Sequence, residues 1–169
     1  MKTSNLLAIL AVLLGAQTTH AGEAAMKPSP LIARVLGTWK GPVNLKAGGQ
    51  IVKGSWEMTC VAAAGGFAAN CSFSAKGFPG IDSYEGSSIL GVDPATRAVH
   101  WYWITNGGEV HDHTGAFPKG DTLDVPFKSG GQLVESLTFT FSGKTMKWTS
   151  VAYDEKGNET MSCVAEGKK

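Results

Sequence analysis

Residues Ser55 to Lys76 constrain the fold of this chain more than any other stretch, because a turn position and an apolar pattern in it demand one and the same register. From Ser55 to Ala62, the residues Trp56, Met58, Cys60 and Ala62 alternate with Ser55, Glu57, Thr59 and Val61. From Asn70 to Lys76, the residues Cys71, Phe73 and Ala75 alternate with Asn70, Ser72, Ser74 and Lys76. Side chains on a strand point to opposite faces in turn, so each set defines one face. A two-residue turn at Gly65-Gly66 places Cys60 opposite Cys71, Met58 opposite Phe73 and Trp56 opposite Ala75. The segment is therefore predicted to be a hairpin with one buried face.

The same logic recurs along the chain. Gly143-Lys144 suits a turn with glycine first, and its register pairs Phe141 with Met146 and Phe139 with Trp148. Between Gly91 and His113 lie a proline-bearing turn, Asp93 to Arg97, and the β-branched and aromatic run Ala98 to Thr105. In that run Val99, Trp101, Trp103 and Thr105 share one face, and His100, Tyr102 and Ile104 share the other. Asn106-Gly107-Gly108 turns the chain into two short predicted strands, Glu109 to Phe117 and Asp121 to Phe127, separated by Pro118-Lys119-Gly120. Leu137, Phe139 and Phe141 alternate with polar residues, and Asp154 to Asn158 turns into a final strand, Glu159 to Ala165. The first strand starts at Gly37, with Trp39, Val43 and Leu45 on one face; Pro42 fits only an edge, an end or a bulge. A helical turn is predicted only at Leu31 to Leu36.

Nine or ten strands joined by tight turns must bury one face and remove their edges. That favours an all-β fold, a single up-and-down antiparallel barrel preceded by a short helical turn. A ten-strand barrel is wide enough to enclose a cavity. The expected inward set is rich in aromatics, and Trp39, Trp56, Trp101, Trp103, Trp148 and Phe139 serve either as packed core or as walls of an apolar ligand site.

The N-terminus reads as a signal peptide. One positive charge, Lys2, precedes the apolar run Leu6 to Ala16, and Thr19-His20-Ala21 supplies a cleavage site after Ala21. Eleven residues at about 1.5 Å each fall short of a hydrocarbon layer of about 30 Å, so the run is no membrane anchor. Residues 22–30 are expected to be a flexible leader and 31–169 the barrel domain, periplasmic or secreted, with no membrane insertion once the signal is removed. Loss of Lys2 leaves 14 basic and 14 acidic residues from the original 15 and 14. A neutral chain without basic runs before Lys168-Lys169 is not expected to bind nucleic acid.

Chemistry-bearing residues are few. In an exported chain, facing Cys60 and Cys71 suggest a disulfide, although Cys163 on the last strand leaves other pairings open. His111 and His113 flank Asp112 and share a strand face, a spacing that can hold zinc or copper; a third ligand would be required. His100 is on a neighbouring strand but opposite in face to Trp101, so it completes the set only if the pair faces outward. The alternative reading is a solvated pair beside a loop. There is no GxSxG elbow, GxGxxG or P-loop, and Glu57, Asp82, Glu85 and Asp93 read as surface or turn carboxylates. Nothing here names a reaction, and a non-enzymatic role is favoured.

The helical turn leading to Gly37-Thr38-Trp39 resembles the GxW opening of the calycins, the lipocalins and fatty-acid-binding proteins. With Gly91-Val92-Asp93-Pro94-Ala95-Thr96 before an aromatic strand ending in Trp103, then Gly115 and Gly120-Asp121-Thr122-Leu123, the chain is similar to a bacterial exported lipocalin-like family of unassigned activity, over Leu31 to Ala165. The resemblance implies a closed barrel and a small apolar ligand, and brings no catalytic residues. Related haem-binding barrels of the nitrobindin type use a histidine near the C-terminal end as the iron ligand. This chain has no histidine after His113, so the resemblance supplies no haem ligand and the cofactor stays unassigned. Three functions follow as expectations: a barrel binding a small apolar molecule, a metal-binding protein or metal-dependent enzyme built on His111 and His113, and a structural or partner-binding barrel with a filled core. No sequence pattern assigns an oligomeric state.

Overall fold

The computed structural model describes residues 29–116 and 120–169. The expected signal peptide, the leader up to residue 28, and the start of the Pro118-Lys119-Gly120 turn lie outside the described residues. A short helix, α1 (Pro30–Val35), comes first. Ser29 caps it by accepting from the Leu31 N–H, and Pro30 opens it where a missing N–H is harmless. The helix starts one residue before the predicted turn.

Eleven strands follow: β1 (Gly37–Ala47), β2 (Gln50–Ala63), β3 (Ala68–Lys76), β4 (Tyr84–Val92), β5 (Ala98–Thr105), β6 (Val110–Ala116), β7 (Thr122–Asp124), β8 (Phe127–Ser129), β9 (Gln132–Ser142), β10 (Thr145–Tyr153) and β11 (Glu159–Lys168). They form one antiparallel sheet in the order β6-β5-β4-β3-β2-β1-β11-β10-β9-β7, with β8 also on β9. The ten-strand path curls into a nearly closed barrel. Its first and last long strands, β1 and β11, pair directly.

Both hairpin registers derived from the sequence are present. Cys60 faces Cys71, Met58 faces Phe73 and Trp56 faces Ala75, while Phe141 faces Met146 and Phe139 faces Trp148. The first turn differs in form: Ala64 to Phe67 make a four-residue loop containing a 3-10 turn, with Ala64 and both glycines at positive φ. One residue is added on each side of Gly65-Gly66, so the register is unchanged. Asp93 organises the next turn by accepting from the Ala95 and Thr96 amides.

Two expectations are corrected. The run Asp121 to Phe127 is not one strand: Val125 and Pro126 separate β7 from β8, as a residue with no N–H to donate dictates. Nor is Pro42 at an edge, since β1 is flanked on both sides. It is tolerated because the β1–β11 ladder lapses between Lys40↔Lys168 and Val43↔Ala165. In that gap the strands press together so closely that a Cβ on Gly41 would lie 2.0 Å from the Glu166 carbonyl oxygen.

The seam of the barrel lies between β6 and the β7–β8 segment. Here the ladder shrinks to the Thr114 N–H donating to the Pro126 carbonyl at 3.0 Å. A Cβ on Gly115 would fall 2.1 Å from the Asp124 carbonyl oxygen, so the approach requires glycine. At one end of the barrel α1 packs on β2, β3 and β4 and buries Leu31, Ile32 and Val35 completely or nearly so.

Candidate functional site

The alternation that builds the strands also decides what fills the barrel. Trp39, Trp56, Trp101, Trp103, Trp148 and Phe139 all turn inward, Trp103 being the one left partly exposed. Trp101 stacks on Phe139 at 4.4 Å between ring centroids and on Trp103 at 5.5 Å. Phe73 stands at the hub of the rest: edge-on to Trp103 at 5.7 Å and to Trp148 at 6.1 Å, and stacked with Trp56 at 6.3 Å.

The indole N–H groups divide this cluster. Trp39 Nε1 donates to the Val35 carbonyl at 2.8 Å, which locks α1 onto the barrel end. Trp101 Nε1 donates to Ser88 Oγ at 2.9 Å. By contrast, Trp56 Nε1 and Trp103 Nε1 are buried with no hydrogen-bond partner among the described residues. Such donors are rare, since burial removes water from a group that would otherwise bond to it.

Beyond Trp103, toward the end away from α1, the interior becomes polar. The β5–β6 register places Trp101 opposite His113 and Trp103 opposite His111, so both histidines face the interior. His113 is 2% exposed; it is no solvated residue beside a loop. His100 points out, its Nδ1 3.4 Å from Asp112 Oδ1. The arrangement in which His100 completes an outward-facing set with His111 and His113 does not arise.

The third member is Glu135 on β9. Its Oε2 lies 3.2 Å from His111 Nδ1 and 3.4 Å from His113 Nε2. Its Oε1 accepts from Ser150 Oγ at 2.5 Å. One donor atom from each of His111, His113 and Glu135 falls within 4.8 Å of the other two. The remaining His113 nitrogen, Nδ1, is 2.9 Å from the Val125 carbonyl oxygen, and Phe127 lies flat against His111, 4.3 Å between centroids at 12°. Burial pushes His113 below its ordinary value of 6.5, opposed by the Glu135 charge. Glu135 escapes the sequence reading because its strand is recognised only from Leu137 onward. Carrying the period of two back from Leu137 puts it on the apolar face.

Other titratable groups ring this end. Cys163 faces Ser150 in register, and burial, helped by Glu135, pushes its thiol up to about 11. Tyr84 donates to Glu109; burial and that carboxylate hold its phenol well above the ordinary range. At the sulfur bridge, Cys60 and Cys71 are joined across β2 and β3 with Cα atoms 4.1 Å apart, which leaves Cys163 as the free cysteine.

Fold and interior together define an antiparallel β-barrel with an aromatic core and one polar, partly open end. The barrel of Rv2717c from M. tuberculosis, a crystal structure, superposes on it with a TM-score of 0.66 over 85% of this chain and 99% of that one, at 12% identity. At that identity the likeness is one of fold. No protein-family profile matches the chain, and no curated protein matches it in sequence. Among the described residues no helix is long and apolar enough to cross a membrane.

Proposed function

We propose that this protein is an exported barrel that binds a small, mostly apolar molecule carrying hydrogen-bond acceptors, held against Trp56, Phe73, Trp103 and Trp148. The observation that supports it is the pair of buried, unpartnered indole N–H groups at Trp56 and Trp103. Each such donor costs about 1–3 kcal/mol while unsatisfied, and a ligand carbonyl, carboxylate or ether oxygen that displaces the side chains packed over it would recover that. The surrounding rings supply the apolar contact, and polar groups at the far end give the ligand's head a wet exit. Export rests on the N-terminal charge, apolar run and Thr19-His20-Ala21 site.

The test is native mass spectrometry of protein purified from its own periplasm or medium. A copurified organic mass is expected, and adding that compound to stripped protein should change tryptophan fluorescence. Trp103→Phe keeps a ring but removes the donor, so affinity should fall about tenfold, the equivalent of one lost hydrogen bond. A bare chain mass, with fluorescence indifferent to extracts of the same compartment, would leave a filled, non-binding barrel.

A further inference from the structure

We propose that His111, His113 and Glu135 form a divalent-cation site of the kind that zinc occupies, built into the barrel wall beside the seam. It uses none of the indole donors, so it stands or falls separately from the ligand reading.

The first argument is distance. A single carboxylate oxygen, Glu135 Oε2, lies 3.2 Å from His111 Nδ1 and 3.4 Å from His113 Nε2. Ligand atoms about 2.0–2.1 Å from a tetrahedral zinc are about 3.3–3.4 Å from one another. The two edges that meet at Glu135 already match such a tetrahedron, and the three ligand atoms all lie within 4.8 Å of one another.

The second argument is hydrogen inventory. His113 Nδ1 is 2.9 Å from the Val125 carbonyl oxygen, which can only accept. Nδ1 therefore carries the hydrogen, and in the neutral ring Nε2 presents a bare lone pair. That nitrogen lies 3.4 Å from a carboxylate oxygen, which in its charged form has no hydrogen to offer. In that state two unshared pairs lie 3.4 Å apart, a contact that a bound metal ion resolves as well as an added proton does.

Support around the three ligands has the form that metal sites require. The Val125 carbonyl fixes the ring orientation of His113, and Ser150 Oγ holds Glu135 Oε1 at 2.5 Å, which leaves Oε2 to the histidines. Phe127 pins the His111 ring from β8. His111 and His113 are on β6 and Glu135 is on β9, so a bound ion ties together the two sides of the seam, where the backbone ladder is thinnest. Two nitrogens and one oxygen from protein leave a fourth position to water or a small anion.

The experiment uses the full chain without an affinity tag, stripped with chelator and titrated calorimetrically with Zn²⁺, with Co²⁺ absorption as a second readout. One zinc per chain and a tetrahedral cobalt spectrum are expected. Glu135→Gln, which keeps the volume, and His111→Ala, at a partly exposed position, should each weaken zinc binding by about a hundredfold or more; Ser150→Ala should weaken it by about tenfold. His100→Ala, on the outer face, should change nothing. Failure of the wild type to take up zinc would overturn the proposal and assign the gap to a proton. Uptake equally strong in Glu135→Gln and His111→Ala would overturn it by placing the metal elsewhere.

Discussion

The two ends of this barrel are built on the same strands to opposite standards. At the α1 end everything is closed: Leu31, Val35, Val99 and Leu90 are fully buried, Trp39 is 1% exposed, and its N–H is bonded to Val35. Lys169 lies over the Trp39 ring at 4.4 Å, and Arg34 pairs with Asp121 at 3.0 Å. At the other end a carboxylate, two imidazoles, a serine and a thiol line the wall, and the nearest indoles lack partners. The crossover falls along β5, where Val99 and Trp101 are fully buried and Trp103 and Thr105 are not. Polar groups placed inside a barrel reduce stability unless matched. The sealed end supplies the stability that lets the open end carry such groups.

Mutation of the sealed end should show the largest effect. Trp39→Ala removes the ring that joins α1 to the barrel and should destabilise the protein by about 3–5 kcal/mol in denaturant titration. A loss below about 1 kcal/mol would mean that the helix is ornamental and the two ends are not different in kind. Glu135→Gln at the open end should do far less in metal-free protein, about 1 kcal/mol at most, because an amide N–H can donate to the His113 Nε2 lone pair where the carboxylate cannot. A large loss there would reveal a buried ion pair and equalise the ends. Stability should be touched least at Cys163, where the expected effect is kinetic. With its thiol raised from 9.0 to about 11, alkylation at pH 8 should be about a hundredfold slower than that of an ordinary cysteine, because only the thiolate reacts. The rate should keep rising toward pH 11. A plateau near pH 9 would show Cys163 to be freely solvated.

Much of this architecture is legible before any coordinates. Turn glycines plus a period of two place Cys60 against Cys71 and Phe139 against Trp148, because register and apolar face are redundant signals there. The candidate site is harder, since its members are fixed by pairings rather than by local pattern. Even so, the three turn residues Asn106 to Gly108 set Thr105 against Glu109, and counting back pairs Trp103 with His111 and Trp101 with His113. That count alone turns both histidines inward. Glu135 is masked by its own polarity at an inward position and by Val134, an apolar residue one place out of phase with Leu137, which blurs the alternation just where the strand begins. The seam has no local signature at all. Closure at Gly115 and Val125 depends on how far ten twisted strands curl, a property of the whole sheet.

The meander has one more consequence, for how the chain finds its fold. From β1 to β6, and again from β8 to β11, every strand pairs with its neighbour in sequence, and the hairpins so formed close short loops. β7 skips β8 to pair with β9, a short step, but the β1–β11 ladder reaches much further: Lys40 meets Lys168, and Ala47 meets Met161, across most of the barrel's length in sequence. Loop-closure entropy is therefore concentrated in the β1–β11 contact, while local hairpins can form on their own timescale. That long-range encounter should set the rate of folding, so that filling the gap in its ladder at Gly41 and Pro42 is expected to change the folding rate more than equal changes in a local hairpin.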